Sequence, residues 1–148
     1  MIDEQLSEDE RFMRQALTEA RKAFEQGEVP VGAVVVWNGR IVGRGHNLVE
    51  TLSDATAHAE MQAITAAASS VGGKYLAECK LYVTVEPCVM CAGACFWSQL
   101  GAVVYGASDP KRGAGRLSPS PFQTVVRGSV LLDECEELMT RFFARLRT

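Results

Sequence analysis

Residues 79–98 read CKLYVTVEPCVMCAGACFWS, a strand pattern that passes directly into a helix pattern. Apolar side chains alternate with other residues over positions 79–85, as they do in a β-strand. Pro87 suits the first turn of a helix because it lacks an N–H group and its φ is already close to the helical value, so the next helix is predicted to begin at about Cys88. Cys88 and Cys91 then lie at the positive end of that helix, which favours thiolates over thiols.

A second motif, His58-x-Glu60, lies thirty residues before Cys88, at the predicted start of another helix. One imidazole and two thiolates can fill three corners of a zinc tetrahedron and leave the fourth corner open for water, as in catalytic zinc sites. We therefore predict one zinc ion per chain, bound by His58, Cys88 and Cys91. Glu60 need not be a ligand, so it is free to act as the general acid/base.

Two other interpretations of the Cys-x-x-Cys motif remain open: a redox pair, or half of a four-ligand structural zinc site. A redox pair explains neither Pro87 nor the His58-x-Glu60 motif. A structural site would need a fourth ligand, and the only other histidine in the sequence is His46. The independent features together favour catalytic zinc.

The length and composition are those of an ordinary globular protein. The chain has 148 residues, of which 47% are apolar and 22% are charged, so a single domain over residues 1–148 is predicted. No apolar run approaches the length of a membrane span. The first ten residues contain five acidic side chains and no basic one, the reverse of a signal or transit peptide. These features predict a cytoplasmic protein without a membrane segment.

The cysteine count and the charge distribution add weaker indications. The five cysteines are odd in number and two are assigned to the metal, so reduced thiols are the simplest prediction. The net charge of −3 does not indicate a nucleic-acid-binding protein. From Lys111 to the C-terminus, seven Lys and Arg residues face four Asp and Glu residues, a local charge of +3 that an ordinary solvated surface also explains.

The N-terminal part predicts a helix followed by a β-hairpin. A capping box at residues 7–10 marks the start of an amphipathic helix. Two β-branched strands, residues 29–37 and 41–47, flank Asn38-Gly39, the strongest short hairpin signal in a sequence. Asn47 ends the second strand, where its side chain either points into a cleft or caps a turn.

Helices and strands alternate through the rest of the chain. The predicted elements are a loop at 50–57, a helix at 58–70, a strand at 79–85, a helix at 88–98, a strand at 102–105, a loop at 106–121, a strand at 124–127 and an amphipathic helix from about residue 132. Such alternation implies right-handed crossovers and helices on both faces of one sheet. The predicted fold is therefore an α/β, three-layer α/β/α domain with a mixed five-stranded sheet, antiparallel at the hairpin end.

The motifs resemble those of the cytidine deaminase-like superfamily and, within it, those of the bacterial tRNA-specific adenosine deaminases. The similarity runs over nearly the whole chain. It is carried by VPVGAV at 29–34, GHN at 45–47, TAHAE at 56–60, LYVTVEPCVMCAGA at 81–94, GASDPKRG at 106–113, and the final-helix residues 134–135 and 141–143. The zinc motifs specify the superfamily, whereas the loop around Asp109 and the final helix indicate the tRNA branch.

That resemblance implies a function and a set of site residues. The implied reaction is hydrolytic deamination of adenosine to inosine at the wobble position of a tRNA anticodon loop, by a homodimer. The implied substrate contacts are Val31, Asn47, Ala59 and Asp109. The implied RNA contacts are Lys111, Arg112, Phe143, Arg145 and Arg147. Helical spacing further predicts that Phe142 and Leu146 face the sheet while the arginines of the final helix share a solvent side.

Two departures from the family pattern keep a rival function open. Residues 117–124 lack the Asn-His pair that many tRNA deaminases carry between the Asp109 loop and the last strand. Cys95-Phe96-Trp97 replaces the usual small aliphatic residues, and a Tyr-Trp at that place is similar to guanine deaminases. The alternative is therefore a free nucleobase or nucleoside deaminase, for guanine or cytosine, with the same zinc chemistry. A zinc-stabilised binding module without turnover is disfavoured, because it has no use for Glu60.

Overall fold

A computed structural model describes residues 2–118, 120–122 and 124–147. The helices are α1 (Ile2–Glu25), α2 (Val49–Leu52), α3 (Ala59–Val71), α4 (Val89–Trp97) and α5 (Leu132–Leu146), with a 3₁₀ turn at Ala114–Arg116. The strands are β1 (Gly32–Trp37), β2 (Arg40–His46), β3 (Cys79–Val85), β4 (Ala102–Ala107) and β5 (Val125–Arg127). The predicted domain and the segment 117–124 also include residues that lie outside the described ones: Met1, Pro119, Gln123 and Thr148.

The strands form one mixed sheet in the order β2-β1-β3-β4-β5. β1 runs antiparallel to both β2 and β3, whereas β3, β4 and β5 are parallel to one another. The hairpin turn lies at Asn38-Gly39, where both residues have positive φ (52° and 75°), as a two-residue hairpin of this type requires. The predicted mixed sheet with its antiparallel end is confirmed.

Helices cover both faces of the sheet, so the predicted three layers are also confirmed. Because side chains alternate along a strand, neighbouring residues of β1 belong to different cores. Ala33 and Val35 pack with α3 and α4 on what we call the site face. Val34 and Val36 pack with α1 and α5 on what we call the opposite face.

Two glycines let α3 approach the sheet closely enough to fix its first turn. A Cβ atom on Gly43 would lie 2.3 Å from the Ala63 carbonyl oxygen, and one on Gly45 would lie 2.5 Å from the Ala59 carbonyl oxygen. No side chain fits at either position of β2. The start of α3, which carries the His58-x-Glu60 motif, is therefore held directly against the backbone of the hairpin.

Several predicted boundaries were wrong. The capping box does not start α1, because the helix begins at Ile2 and contains Ser7. Asp9, which accepts a hydrogen bond from the Tyr82 hydroxyl, connects this part of the helix to β3. β1 begins at Gly32 and not at Val29, because Pro30 has no N–H group for the ladder and the Val31 N–H donates to the Val29 carbonyl.

Smaller corrections concern the loops and the final helix. The helical turn α2, which begins at Val49, extends into the predicted loop 50–57, and β4 extends to Ala107. Leu146 does not face the sheet: it is 65% exposed, because it is the last residue of α5, directly before the C-cap at Arg147. All five cysteines are free of disulfide bonds, as predicted. Within the described ranges, no helix is both long enough and apolar enough to cross a bilayer.

Candidate active site

The three predicted metal ligands meet at two helix N-termini. His58 is the N-cap residue of α3, Cys88 is the N-cap residue of α4, and Cys91 follows within the first turn of α4. The Nδ1 atom of His58 lies 3.7 Å from the Cys88 Sγ and 3.6 Å from the Cys91 Sγ. The three ligand atoms lie within 4.8 Å of one another.

These distances fit a tetrahedral zinc ion. With Zn–S bonds of about 2.3 Å and Zn–N bonds of about 2.0–2.1 Å, tetrahedral angles separate sulfur from nitrogen by about 3.6 Å. The His58 ring also forms a hydrogen bond with the backbone of Ala55, the kind of outer contact that orients a metal-binding imidazole. The donor set and its spacing therefore match one zinc ion.

The protonation of the ligands is consistent with a cation site. Hydrogen bonds from Cys91 and His58 lower the pKa of Cys88 to about 4, although burial opposes the shift. The hydrogen bond to Cys88, together with burial, raises the pKa of Cys91. The hydrogen bond to Cys88 likewise raises the pKa of His58. Because metals bind the thiolate and the neutral imidazole, binding of a cation here would release protons.

Glu60 is a buried carboxyl group beside the ligands. It is 3% exposed, and its Oε1 atom is the one buried side-chain oxygen or nitrogen among the described residues that has no hydrogen-bond partner. Burial raises the pKa of Glu60 to about 7. A carboxyl group with a pKa near neutrality can both accept and donate a proton, which is what general acid/base catalysis requires.

Two backbone hydrogen bonds bring the predicted substrate-binding residues to the metal ligands. The Asn47 N–H donates to the Val31 carbonyl at 3.1 Å, and the Leu48 N–H donates to the Ala57 carbonyl at 2.9 Å. Asn47 is buried at the end of the hairpin, and Ala59 is fully buried in the first turn of α3. Three of the four predicted substrate contacts, Val31, Asn47 and Ala59, thus lie around the start of α3.

The fourth predicted contact, Asp109, lies in the loop that follows β4. Its Oδ1 atom accepts hydrogen bonds from the N–H groups of Lys111 and Arg112, so the carboxylate also caps its own turn. A backbone bridge between Cys88 and Gly113 holds this loop beside a metal ligand. A substrate role for Asp109 remains a prediction.

Two buried carboxylates near the site have no local sequence signal. Glu28 accepts hydrogen bonds from the N–H groups of Glu50 and Thr51 and from the Thr51 hydroxyl, so it anchors α2 directly after Asn47. Glu86 accepts hydrogen bonds from residues 109 and 115. The partners are 22 to 29 positions away in the chain, which is why no spacing rule reveals them.

The basic end of α5 packs over the end of α1. The guanidinium groups of Arg141 and Arg145 lie 5.5 and 5.2 Å from the ring centre of Phe24. Phe142 is buried, as predicted, whereas Phe143 is 40% exposed and available for contacts. Because α1 leads into the segment that contains Val31, the end of α5 lies on the same side of the molecule as the start of β1.

The comparison with known proteins decides the family. The family model described as the cytidine and deoxycytidylate deaminase zinc-binding region matches residues 6–107. The tRNA-specific adenosine deaminase of Bacillus subtilis (strain 168) is 46% identical over 149 residues, covering 96% of this chain and 92% of the relative. The chain belongs to the tRNA-specific adenosine deaminase family. It is therefore a hydrolytic deaminase, and His58, Cys88 and Cys91 fit one zinc ion per chain.

Solved structures agree with this family. A structure from a study of A-to-I editing by tRNA:A34 deaminases at the wobble position of transfer RNA superimposes with a TM-score of 0.81 at 39% identity, covering 86% of this chain and 98% of that chain. A guanine deaminase from Nitrosomonas europaea gives a TM-score of 0.79 at 25% identity, covering 91% of this chain and 84% of that one. The cytidine deaminase-like fold is confirmed.

Proposed function

We propose that this family member deaminates adenosine to inosine at the wobble position of a tRNA anticodon. The observation that supports the chemistry is the buried, unpartnered oxygen of Glu60 beside a His/Cys/Cys metal site. The tRNA substrate is supported by the names of the relatives that match over nearly the full chain. The reaction consumes one water molecule and releases ammonia.

Each residue of the site has a separate role in the proposal. His58, Cys88 and Cys91 would hold the zinc ion, which when bound lowers the pKa of water enough to supply a nucleophile near neutral pH. Glu60 would accept one proton from the attacking water and deliver it to the purine ring nitrogen. It would then carry the second proton of that water to the amine, which leaves as ammonia. The helix N-termini at His58 and Cys88 would stabilise negative charge on the ligands.

The substrate base would be bound by the segments around the ligands. Asn47, buried next to Val31, would hydrogen bond with the purine edge, and the Ala59 N–H would donate to the base. Asp109 would contact the sugar-phosphate side, in addition to capping its turn. An anticodon loop presents its bases partly unstacked, which lowers the free energy needed to place one base in this pocket.

The RNA backbone would be bound by basic side chains from two elements. Lys111 and Arg112 belong to the loop beside Cys88, and Arg145 and Arg147 belong to the end of α5. Phe143, which is 40% exposed, offers a ring for base stacking. Phosphate contacts of this kind position an RNA without reading its sequence.

A free nucleobase or nucleoside deaminase, for guanine or cytosine, is the second candidate, and the structural similarity to guanine deaminase supports it. Both candidates use the same zinc chemistry, so the metal site does not distinguish them. They differ in whether the RNA around the target base is required.

Incubation of the zinc-loaded protein with tRNA, free guanine, free cytosine and adenosine tests the proposal. Inosine is measured by mass spectrometry after nuclease digestion of the tRNA, and ammonia is measured in the small-molecule reactions. The matched control is Glu60→Ala, which should keep zinc but form no product. Product only from free bases or nucleosides would replace the tRNA function with the second candidate.

Assembly and location complete the proposal. Trp97 is 76% exposed and Phe96 39% exposed, and their rings pack edge to face at the end of α4. This apolar pair supports the proposed homodimer, in which a second copy would cover it. Sedimentation at micromolar concentration tests this: we expect a dimer for the wild type and a monomer for Trp97→Glu. A tRNA substrate would place the enzyme in the cytoplasm.

A further inference from the structure

A buried carboxylate that takes no part in the proposed chemistry connects two parts of the site. Glu86 lies between β3 and the metal-ligand segment that begins at Pro87, and it is 9% exposed. Its Oε1 atom accepts a hydrogen bond from the Asp109 N–H at 3.0 Å, and its Oε2 atom accepts one from the Gly115 N–H at 2.7 Å. One side chain therefore holds both ends of segment 109–115.

Segment 109–115 is well ordered for a loop, because each of its N–H groups has an acceptor. Besides the two bonds to Glu86, the bonds run from Lys111 and Arg112 to Asp109 Oδ1 (3.2 and 3.0 Å), from Gly113 to the Asp109 carbonyl (2.8 Å) and from Ala114 to the Pro87 carbonyl (2.9 Å). Pro110 has no N–H group. The loop is thus fixed both to itself and to the segment that carries the metal ligands.

The contact between Glu86 and the loop leaves no space for a side chain at two glycines. A Cβ atom on Gly113 would lie 2.4 Å from the Glu86 Cδ, and one on Gly115 would lie 2.4 Å from its Oε2. The carboxylate therefore packs directly on the loop backbone. The bridge between Cys88 and Gly113 holds the same backbone beside a metal ligand.

We propose that Glu86 is a positioning residue, which holds segment 109–115 as a preformed wall of the substrate pocket beside Cys88. This proposal rests on the proposed function, because the segment meets a substrate only if Asp109 has the role that the family resemblance implies. Glu86 acts through the backbone of the segment and not on the reacting atoms. A wall that is already ordered lowers the entropy cost of binding, so its loss should raise KM more than it lowers kcat.

The first test replaces Glu86 by glutamine in the zinc-loaded protein. Glutamine keeps the volume, but its NH₂ group cannot accept a hydrogen bond, so one N–H group of the segment loses its acceptor. We expect KM for tRNA to rise about tenfold, the effect of losing one hydrogen bond to a charged group, while kcat falls less than about threefold. Hydrogen–deuterium exchange should become faster at the Asp109 or Gly115 amide, with zinc content unchanged.

A second variant reaches the same contact from the loop side. Gly115→Ala places a Cβ against the Glu86 Oε2 without changing the metal-ligand segment that begins at Pro87. The φ of Gly115 is compatible with alanine. The matched control is Gly73→Ala, where a Cβ has no atom within 4 Å and φ is also ordinary. We expect Gly115→Ala to raise KM and speed amide exchange in segment 109–115, and Gly73→Ala to change neither.

The outcomes separate the two proposals. A wild-type protein that forms no inosine in tRNA would overturn the proposed function, whatever the variants do. A wild type active on tRNA, with unchanged KM and unchanged amide exchange in both Glu86→Gln and Gly115→Ala, would overturn the positioning role. Loss of zinc, or a fall in kcat at unchanged KM, would also overturn it, because Glu86 would then support the metal site alone. If Glu86→Gln does not fold, Gly115→Ala decides.

Discussion

The two faces of the sheet treat buried carboxylates differently. On the opposite face, Asp9 accepts a hydrogen bond from the Tyr82 hydroxyl at 2.8 Å and pairs with Arg127 at 2.9 Å. On the site face, Glu60 is as deeply buried, yet its Oε1 atom has no partner. One carboxylate is surrounded by donors, and the other is left partly unsatisfied beside three metal ligands.

The difference indicates that the unpartnered oxygen of Glu60 lowers the stability of the fold but leaves a group free for catalysis. A buried polar atom without a partner destabilises a fold by about 1–3 kcal/mol. The other buried carboxylates of the described residues have partners. Glu19, for example, contacts both Lys22 and Arg44, at 2.8 and 3.1 Å. The fold can therefore supply donors, and their absence at Glu60 Oε1 is specific to the site. An acid/base group needs a free oxygen for the substrate, which a structural carboxylate does not.

The largest expected effect comes from removing a metal ligand. His58→Ala, Cys88→Ala and Cys91→Ala should each lose bound zinc and fall to background activity, because two remaining ligands cannot form the catalytic site. Metal analysis by mass spectrometry and inosine formation measure the two losses. Adding zinc should raise the Tm of the wild type but not of these variants. A metal-free preparation with full activity would contradict the zinc assignment.

The next effect compares the two faces directly through Glu60→Gln and Asp9→Asn. Glu60→Gln should lower turnover by about two to four orders of magnitude, because the amide cannot carry the proton. Zinc content and Tm should stay at or above those of the wild type, since no paired charge is lost.

Asp9→Asn should have the reverse effect. It weakens a hydrogen bond and an ion pair with Arg127, so we expect a loss of about 1–3 kcal/mol in unfolding free energy with unchanged kcat and KM. Denaturant unfolding and steady-state kinetics on both variants provide the comparison. If Asp9→Asn lowered turnover as much as Glu60→Gln does, the division between the two faces would be wrong.

The sequence predicted those parts of the site that are encoded in short spacings. The Cys-x-x-Cys spacing, Pro87 and His58-x-Glu60 each reflect the geometry of one helix turn, so the ligand set could be inferred without a structure. The same holds for the hairpin at Asn38-Gly39. These signals are local, and the fold preserves them.

Contacts between distant segments could not be predicted in this way. Glu28 and Glu86 look like surface acids in the sequence, and only the fold brings the backbone N–H groups of residues 50–51, 109 and 115 to them. Ser7 shows the opposite error. Its sequence pattern predicts the start of a helix, but Ser7 lies inside α1. Neighbouring Asp9 connects that part of the helix to β3 through the hydrogen bond from Tyr82, a contact that no local pattern reveals.

A third effect concerns Glu28, which lies near the site but is paired like Asp9. Burial alone would raise the pKa of Glu28, but hydrogen bonds from Thr51 and Glu50 outweigh burial and lower it below its ordinary value of 4.5. Since the folded pKa is below the unfolded one, Glu28 stabilises the fold fully above about pH 4.5, and this contribution is lost as the pH falls through the folded pKa.

Glu28→Gln should remove that contribution. We expect its Tm to lie furthest below that of the wild type near neutral pH and the gap to shrink at pH values below about 4.5. Thermal unfolding followed by circular dichroism over this range measures the gap. A gap that stayed constant with pH would mean that the variant acts through packing and not through charge.

The smallest effect tests whether the region outside both cores takes part in RNA binding. Arg145 and Arg147 lie at the exposed end of α5, and Arg145 also packs over Phe24 at 5.2 Å. If they contact phosphates, changing both to glutamate should weaken tRNA binding and reduce the slope of log K against log salt concentration by about 1.4–1.8. Zinc content should not change, and Tm should fall only slightly, because both side chains are exposed at the end of α5.

The matched control for this variant is the double change Arg40→Glu and Lys74→Glu. Both residues are exposed. Arg40 is the first residue of β2 and pairs with Trp37, which in turn pairs with Cys79 at the start of β3, the end of the sheet away from the metal ligands. The change in net charge is the same, so long-range repulsion of RNA is matched and only local phosphate contacts differ. Binding measured by fluorescence anisotropy at several salt concentrations should therefore show a reduced slope for the α5 variant and a slope near that of the wild type for the control. Equal slopes in the two variants would assign the effect to overall charge and remove α5 from the RNA-binding surface.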